Sequence, residues 1–103
     1  MYDIRFTKQA QKDSINIERA GLKAKAVEII VVVRENPYEE SQSFEHLKGN
    51  LKGSYSRRLN RQHRFVYEVL PNNEKLKDEK GELFDGIIKV TSMWTHYARG
   101  NKL

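Results

Sequence analysis

Cysteine is absent from the 103 residues, which excludes disulfide frameworks, thiolate metal sites and cysteine nucleophiles together and fits a reducing cytoplasm. Proline occurs twice and glycine six times, with no low-complexity tract, so the chain does not read as a disordered linker. Long apolar runs are missing as well. The longest, Ile29 to Val33, is five residues, whereas crossing a bilayer takes about 20, so no transmembrane helix is expected. No apolar segment follows Met1 as a secretory leader would require. There is no His-x-His, His-Glu-x-x-His or acidic cluster to hold a metal and no glycine-rich loop to cradle a nucleotide, so neither metal nor cofactor is expected.

What is present is enough for one core. With 38% hydrophobic and 32% charged residues the chain reads as a single domain over residues 1–103 with a well-solvated surface. The 19 Lys and Arg outnumber the 14 Asp and Glu, for a net charge of +5. The excess is concentrated. From His46 to Tyr67 the chain carries Lys48, Lys52, Arg57, Arg58, Arg61 and Arg64 and no acid, so this window is +6 and the remainder is −1. Such a stretch suits a polyanion-facing surface, and on charge alone it suits a solvated basic surface equally.

Tyr2, Ile4 and Phe6 alternate with Asp3 and Arg5, the period of a half-buried strand, and Thr7 offers a hydroxyl to cap a helix over Lys8 to Ala20. Gly21 marks its end. Leu22, Ala26, Ile29, Ile30 and Val33 then form one apolar stripe on a second helix that stops near Pro37. Tyr38 to Gly53 is polar and reads as a loop with room for a short helical turn. Three strands follow, over Ser54 to Leu59, His63 to Leu70 and Gly86 to Tyr97. Between the last two, Pro71 to Asp85 is hydrophilic and turn-rich, an extended surface hairpin or loop. The expected fold is α+β, with two N-terminal helices on one face of a twisted, mainly antiparallel sheet of about four strands.

Three features carry reactive chemistry: Glu45 just before the basic window, Arg64 within it, and His96-Tyr97 at the end of the last strand. Metal-independent RNA cleavage needs a base for the 2′-hydroxyl, an acid for the departing 5′ oxygen and a cation for the phosphorane, and Glu, His and Arg can fill those roles. Residue types alone leave the alternative open that Glu45 is a solvated loop residue and His96 a surface histidine, because the two are far apart in sequence.

The blocks F-E-H-L-K-G-N-L-K-G-S-Y-S-R-R-L (Phe44 to Leu59), H-R-F-V-Y-E-V (His63 to Val69) and T-H-Y (Thr95 to Tyr97) together resemble the YoeB/Txe branch of the RelE/ParE toxin superfamily. The resemblance implies a RelE-like fold and the toxin of a type II toxin-antitoxin system, a ribosome-dependent mRNA endoribonuclease neutralised by a Phd/YefM-type antitoxin. It implies Glu45 as general base, His96 as general acid, Arg64 as transition-state clamp and Tyr97 as a phosphate-orienting or stacking group. Lys48, Lys52 and one of Arg57 and Arg58 are expected to contact RNA phosphates; adjacent strand residues face oppositely, so the two arginines cannot share a groove. Partners are then mRNA, the ribosome and the antitoxin, with a homodimer conceivable. The rivals are a ParE-like toxin that is not a nuclease and a non-catalytic RNA- or ribosome-binding module. Ala98 to Leu103 run past the tyrosine at which many relatives end, and Pro71 to Asp85 is longer than their usual turn. His46 and His63 are expected to be structural or surface residues, and Trp94 to pack in the core rather than stack a base.

Overall fold

The computed structural model describes residues 1–94. The first strand, β1 (Asp3–Phe6), leads into α1 (Lys8–Arg19), whose N-terminus is capped by the Thr7 hydroxyl accepting from the Ala10 amide at 3.1 Å. The helix ends in a Schellman motif: the Gly21 amide donates to the Glu18 carbonyl and the Leu22 amide to the Ile17 carbonyl, with Gly21 at φ 74°. A second helix, α2 (Lys23–Glu35), returns antiparallel and stops before Pro37. Both helices therefore end within a residue or two of where caps and breakers place them.

Among the described residues the sheet has five strands in the order β1-β5-β4-β3-β2, where β2 is Glu45–His46, β3 Ser54–Arg58, β4 Arg64–Leu70 and β5 Ile87–Ser92. All neighbours are antiparallel except β1 and β5, which run parallel with Asp3 opposite Ile87 and Phe6 opposite Val90. The expected architecture of two helices on a mainly antiparallel sheet stands. The fifth strand is the two-residue β2, inside the segment read as a loop, and it places Glu45 opposite Ser56. A 3-10 turn at Gly49–Leu51 is the short helical turn of that segment. Residues 71–85 form a small hairpin with one bridge between Lys77 and Leu83.

The helices cover one sheet face. Ala10 and Ile17 of α1 and Ala26, Ile29 and Val33 of α2 pack against Phe65 and Tyr67 of β4 and Ile88 and Val90 of β5. Burying each large apolar side chain stabilises by about 1.5–3 kcal/mol. The apolar stripe of α2 thus faces the sheet as its spacing requires, while Val27 and Val31 are left exposed. The core also holds a carboxylate, Asp13, which accepts from the Met93 amide at 2.8 Å and from Gln9 Nε2 at 2.9 Å, tying α1 to the end of β5.

Candidate active site

Strand alternation decides which basic residues meet. On β3, Tyr55 and Arg57 point to the helix face, and Ser54, Ser56 and Arg58 to the other. On β4, Arg64 stands opposite Arg58 and Val66 opposite Ser56, while Glu45 of β2 stands on the far side of Ser56. Glu45, Ser56, Arg58 and Arg64 consequently share the face turned away from the helices.

There the Arg64 guanidinium is rooted in the sheet. Its Nε donates to Ser56 Oγ at 2.8 Å and its Nη2 to the Ser43 carbonyl, and Nη2 lies 3.8 Å from Glu45 Oε1. The Arg64 side chain is 10% exposed and that of Glu45 56%. A cation fixed by hydrogen bonds and largely shielded from solvent sits beside a carboxylate that a ligand can reach. Such a pair can accept a proton at the carboxylate and stabilise negative charge at the guanidinium without reorganising. Two sequence-predicted residues 19 positions apart, Glu45 and Arg64, are thereby brought together. His96 and Tyr97 lie outside the described residues.

Lys48 and Lys52 are exposed in the turn between β2 and β3, and Arg58 is exposed on the face that carries Glu45. Arg57 is a correction. It has no accessible surface, and its donors go to the carbonyls of Pro37, Glu39 and Ser41 and to the Tyr67 hydroxyl. Its position on the helix face of β3 turns it under the 37–42 segment, so it cannot serve as a surface phosphate contact. Tyr67, which shares that site, has its phenol pKa raised by burial, with Arg57 opposing.

Ser56 and Ser43, which orient Arg64, escape sequence reasoning because a lone serine carries no signal; Ser56 could be found only by counting strand parity from Arg58. His63 and Trp94 form a further pair, stacked with ring centroids 3.7 Å apart and planes 13° from parallel. Trp94 is half-buried against the core, as expected of it, and His63 is buried, its pKa lowered by desolvation while Asp13 pulls it upward. With the Asp13 bond to Met93, this stack fixes where β5 leaves the sheet. A cavity of about 690 Å³ lies at the opposite edge, between β1 and the 71–85 hairpin, and contains none of the predicted site residues. Among the described residues no His, Cys, Asp and Glu group could hold a metal, and no helix is long and apolar enough to cross a membrane.

This fold has counterparts. Residues 6–97 match the family model described as the YoeB-like toxin of bacterial type II toxin-antitoxin systems. No curated protein sequence matches. Among solved structures, the chain is similar to a YoeB/ParE toxin from Agrobacterium tumefaciens, with 25% identity, a TM-score of 0.73 and coverage of 92% of this chain and 99% of that one. It is similar to the YoeB dimer from Staphylococcus aureus, with 32% identity, a TM-score of 0.69 and coverage of 93% and 98%. It also resembles a heterotetrameric YoeB-YefM toxin-antitoxin complex from the same organism, with 30% identity, a TM-score of 0.67 and coverage of 94% and 99%. With the family model spanning nearly the whole chain and the fold matching that of solved members, this protein belongs to the YoeB-like toxins of bacterial type II toxin-antitoxin systems.

Proposed function

We propose that this toxin is a ribosome-dependent endoribonuclease that cuts mRNA by general acid-base chemistry. The observation that carries the reading is the accessible Glu45 carboxylate held beside the anchored Arg64 guanidinium. Glu45 takes the proton of a 2′-hydroxyl, whose oxygen attacks the adjacent phosphorus. Arg64 stabilises the charge that develops on the phosphorane, and His96 protonates the departing 5′ oxygen, with Tyr97 orienting the phosphate. The bond that breaks is the one between phosphorus and the 5′ oxygen, leaving a 2′,3′-cyclic phosphate and a 5′-hydroxyl. Lys48, Lys52 and Arg58 flank Glu45 and supply phosphate contacts along the bound strand. The protons move through side chains, so cleavage needs no metal and survives chelation.

The partners follow from the same surface. A basic face is neutralised by an acidic segment that folds on binding, and an antitoxin of the YefM type, the partner in the Staphylococcus aureus complex, supplies one. Toxin, ribosome and antitoxin then meet in the cytoplasm. The test is translation of a defined message on purified ribosomes with the ends of the message mapped. Cuts within codons that carry 5′-hydroxyl ends support the reading. Intact message sinks it in favour of a ParE-like or purely binding toxin, and chelator-sensitive cuts with 5′-phosphate ends overturn the mechanism.

A further inference from the structure

The deeply buried Arg57 is committed almost wholly to the chain segment that leads into Glu45. Its Nη2 donates to the carbonyls of Pro37 at 3.1 Å and Glu39 at 2.7 Å, and its Nη1 to that of Ser41 at 3.0 Å. Its Nε donates to the Tyr67 hydroxyl at 3.1 Å, and that hydroxyl donates in turn to the Pro37 carbonyl at 2.5 Å. The guanidinium carbon lies 4.8 Å from the centre of the Phe44 ring.

That segment needs holding. The Phe44 amide donates to the Ser41 carbonyl at 3.1 Å, closing a tight turn whose central residues, Gln42 and Ser43, have φ of 56° and 55°. Two successive left-handed residues are the geometry of a type I′ turn, which sequences such as Asn-Gly adopt readily and a Gln-Ser pair adopts only under strain. Three consecutive carbonyls of the turn are each taken by an arginine of the sheet. Ser41 accepts from Arg57, Gln42 from the Arg58 amide at 2.8 Å, and Ser43 from Arg64 Nη2. The strand that follows, β2, is two residues long, so its own ladder does little to fix Glu45.

We propose that Arg57 is a positioning residue for the reaction: it holds the strained 41–44 turn in place and thereby keeps the Glu45 carboxylate against Arg64. The proposal rests on the reading of Glu45 as the general base. Only a planar, multiply donating side chain spans the carbonyls of residues 37, 39 and 41 at once; a lysine ammonium is a single centre and cannot.

Arg57→Lys, which keeps the charge, is the test, read in two ways. By hydrogen exchange, the Arg58 amide, bonded to Gln42, loses more protection in the variant than the amides of the β4–β5 ladder do, because the loosening is local to the turn. In cleavage on programmed ribosomes, kcat falls about 10- to 100-fold at unchanged KM, and the same substitution in a Glu45→Gln background costs nothing further, because its effect runs through Glu45. Wild-type protection of the Arg58 amide, or equal losses in both backgrounds, overturns the proposal. Should wild-type protein leave message intact, the nuclease reading fails, whereas the exchange arm still decides whether Arg57 holds the turn. If Arg57→Lys does not fold, Tyr67→Phe, which keeps the ring and removes the hydroxyl that Arg57 bonds, gives a smaller loss in the same direction; unchanged exchange and kcat in that variant also overturn it.

Discussion

At one edge of the sheet, β1 is four residues long, bonds to β5 along its length and borders helices whose apolar faces fill the core. At the other edge, β2 is two residues long and both are exposed; His46 rests on the rings of Phe44 and Tyr55, while Glu45 is placed by polar groups, Ser56, Arg64 and a turn that Arg57 holds by its carbonyls. Apolar burial at the first edge is non-directional and tolerant of small shifts. Hydrogen bonds at the second specify direction and distance, which a base and a charge-stabilising cation require. The toxin thus separates the means that hold it folded from the means that place the proposed catalytic pair, Glu45 and Arg64.

Substitutions can break that comparison. The largest expected effect belongs to the polar edge: Glu45→Gln lowers the cleavage rate by about 10² to 10⁴-fold, with Arg64→Ala comparably damaging, while the Glu45→Gln denaturant midpoint stays at the wild-type value because that side chain is exposed. The codon-mapping assay on ribosomes, run on variants checked by circular dichroism, measures the first and urea titration the second. Full activity in Glu45→Gln removes the polar edge from the chemistry. Ile29→Ala makes the converse prediction, a stability loss of about 2–5 kcal/mol from the cavity left in the core, with kcat retained at temperatures where the variant is folded.

A finer division lies within the basic window. Replacing Lys48, Lys52 and Arg58 by Ala lowers the salt slope of RNA or ribosome binding by about one per lost phosphate contact, and an unchanged slope returns these cations to a merely solvated surface. The smallest effect is acid sensitivity at the His63–Trp94 stack. Burial lowers the His63 pKa below its ordinary 6.5, so as the pH falls through that value the unfolded chain takes up the proton before the folded one does. Stability present at neutral pH therefore declines on acidification. His63→Phe, which keeps the stack and does not titrate, flattens the profile of urea midpoints between about pH 8 and pH 5. A parallel decline in both proteins assigns the acid sensitivity to other groups.

The difference between the edges also explains what was legible in the sequence. Periodicity and punctuation report apolar burial, so Tyr2, Ile4 and Phe6, the α2 stripe, the Thr7 cap and the Gly21 break read correctly. The two-residue β2 has no room for a period and consists of Glu and His, so it reads as loop. Glu45 and Arg64 stand out by resemblance rather than by any pattern of their own, and their proximity depends on the register across β2, β3 and β4. The burial of Arg57 is hidden from the sequence for a related reason. Composition counts a buried, fully bonded arginine the same as an exposed one, and only parity with Tyr67 across β3 and β4, together with the carbonyls of the 37–41 segment, tells them apart.

The parallel pairing of β1 with β5 bears on the order of events during synthesis. Thr7 bonds the backbone of Thr91 across 84 positions, and Asp3 stands opposite Ile87 in the ladder. The first strand made therefore waits for the last, since closing so long a loop brings no reward until β5 has emerged. A nascent chain can form its helical hairpin and the β3–β4 hairpin early, but β1 gains its partner only once residues 87–92 have emerged. Until β5 is free of the ribosome, the toxin has hairpins but no closed sheet.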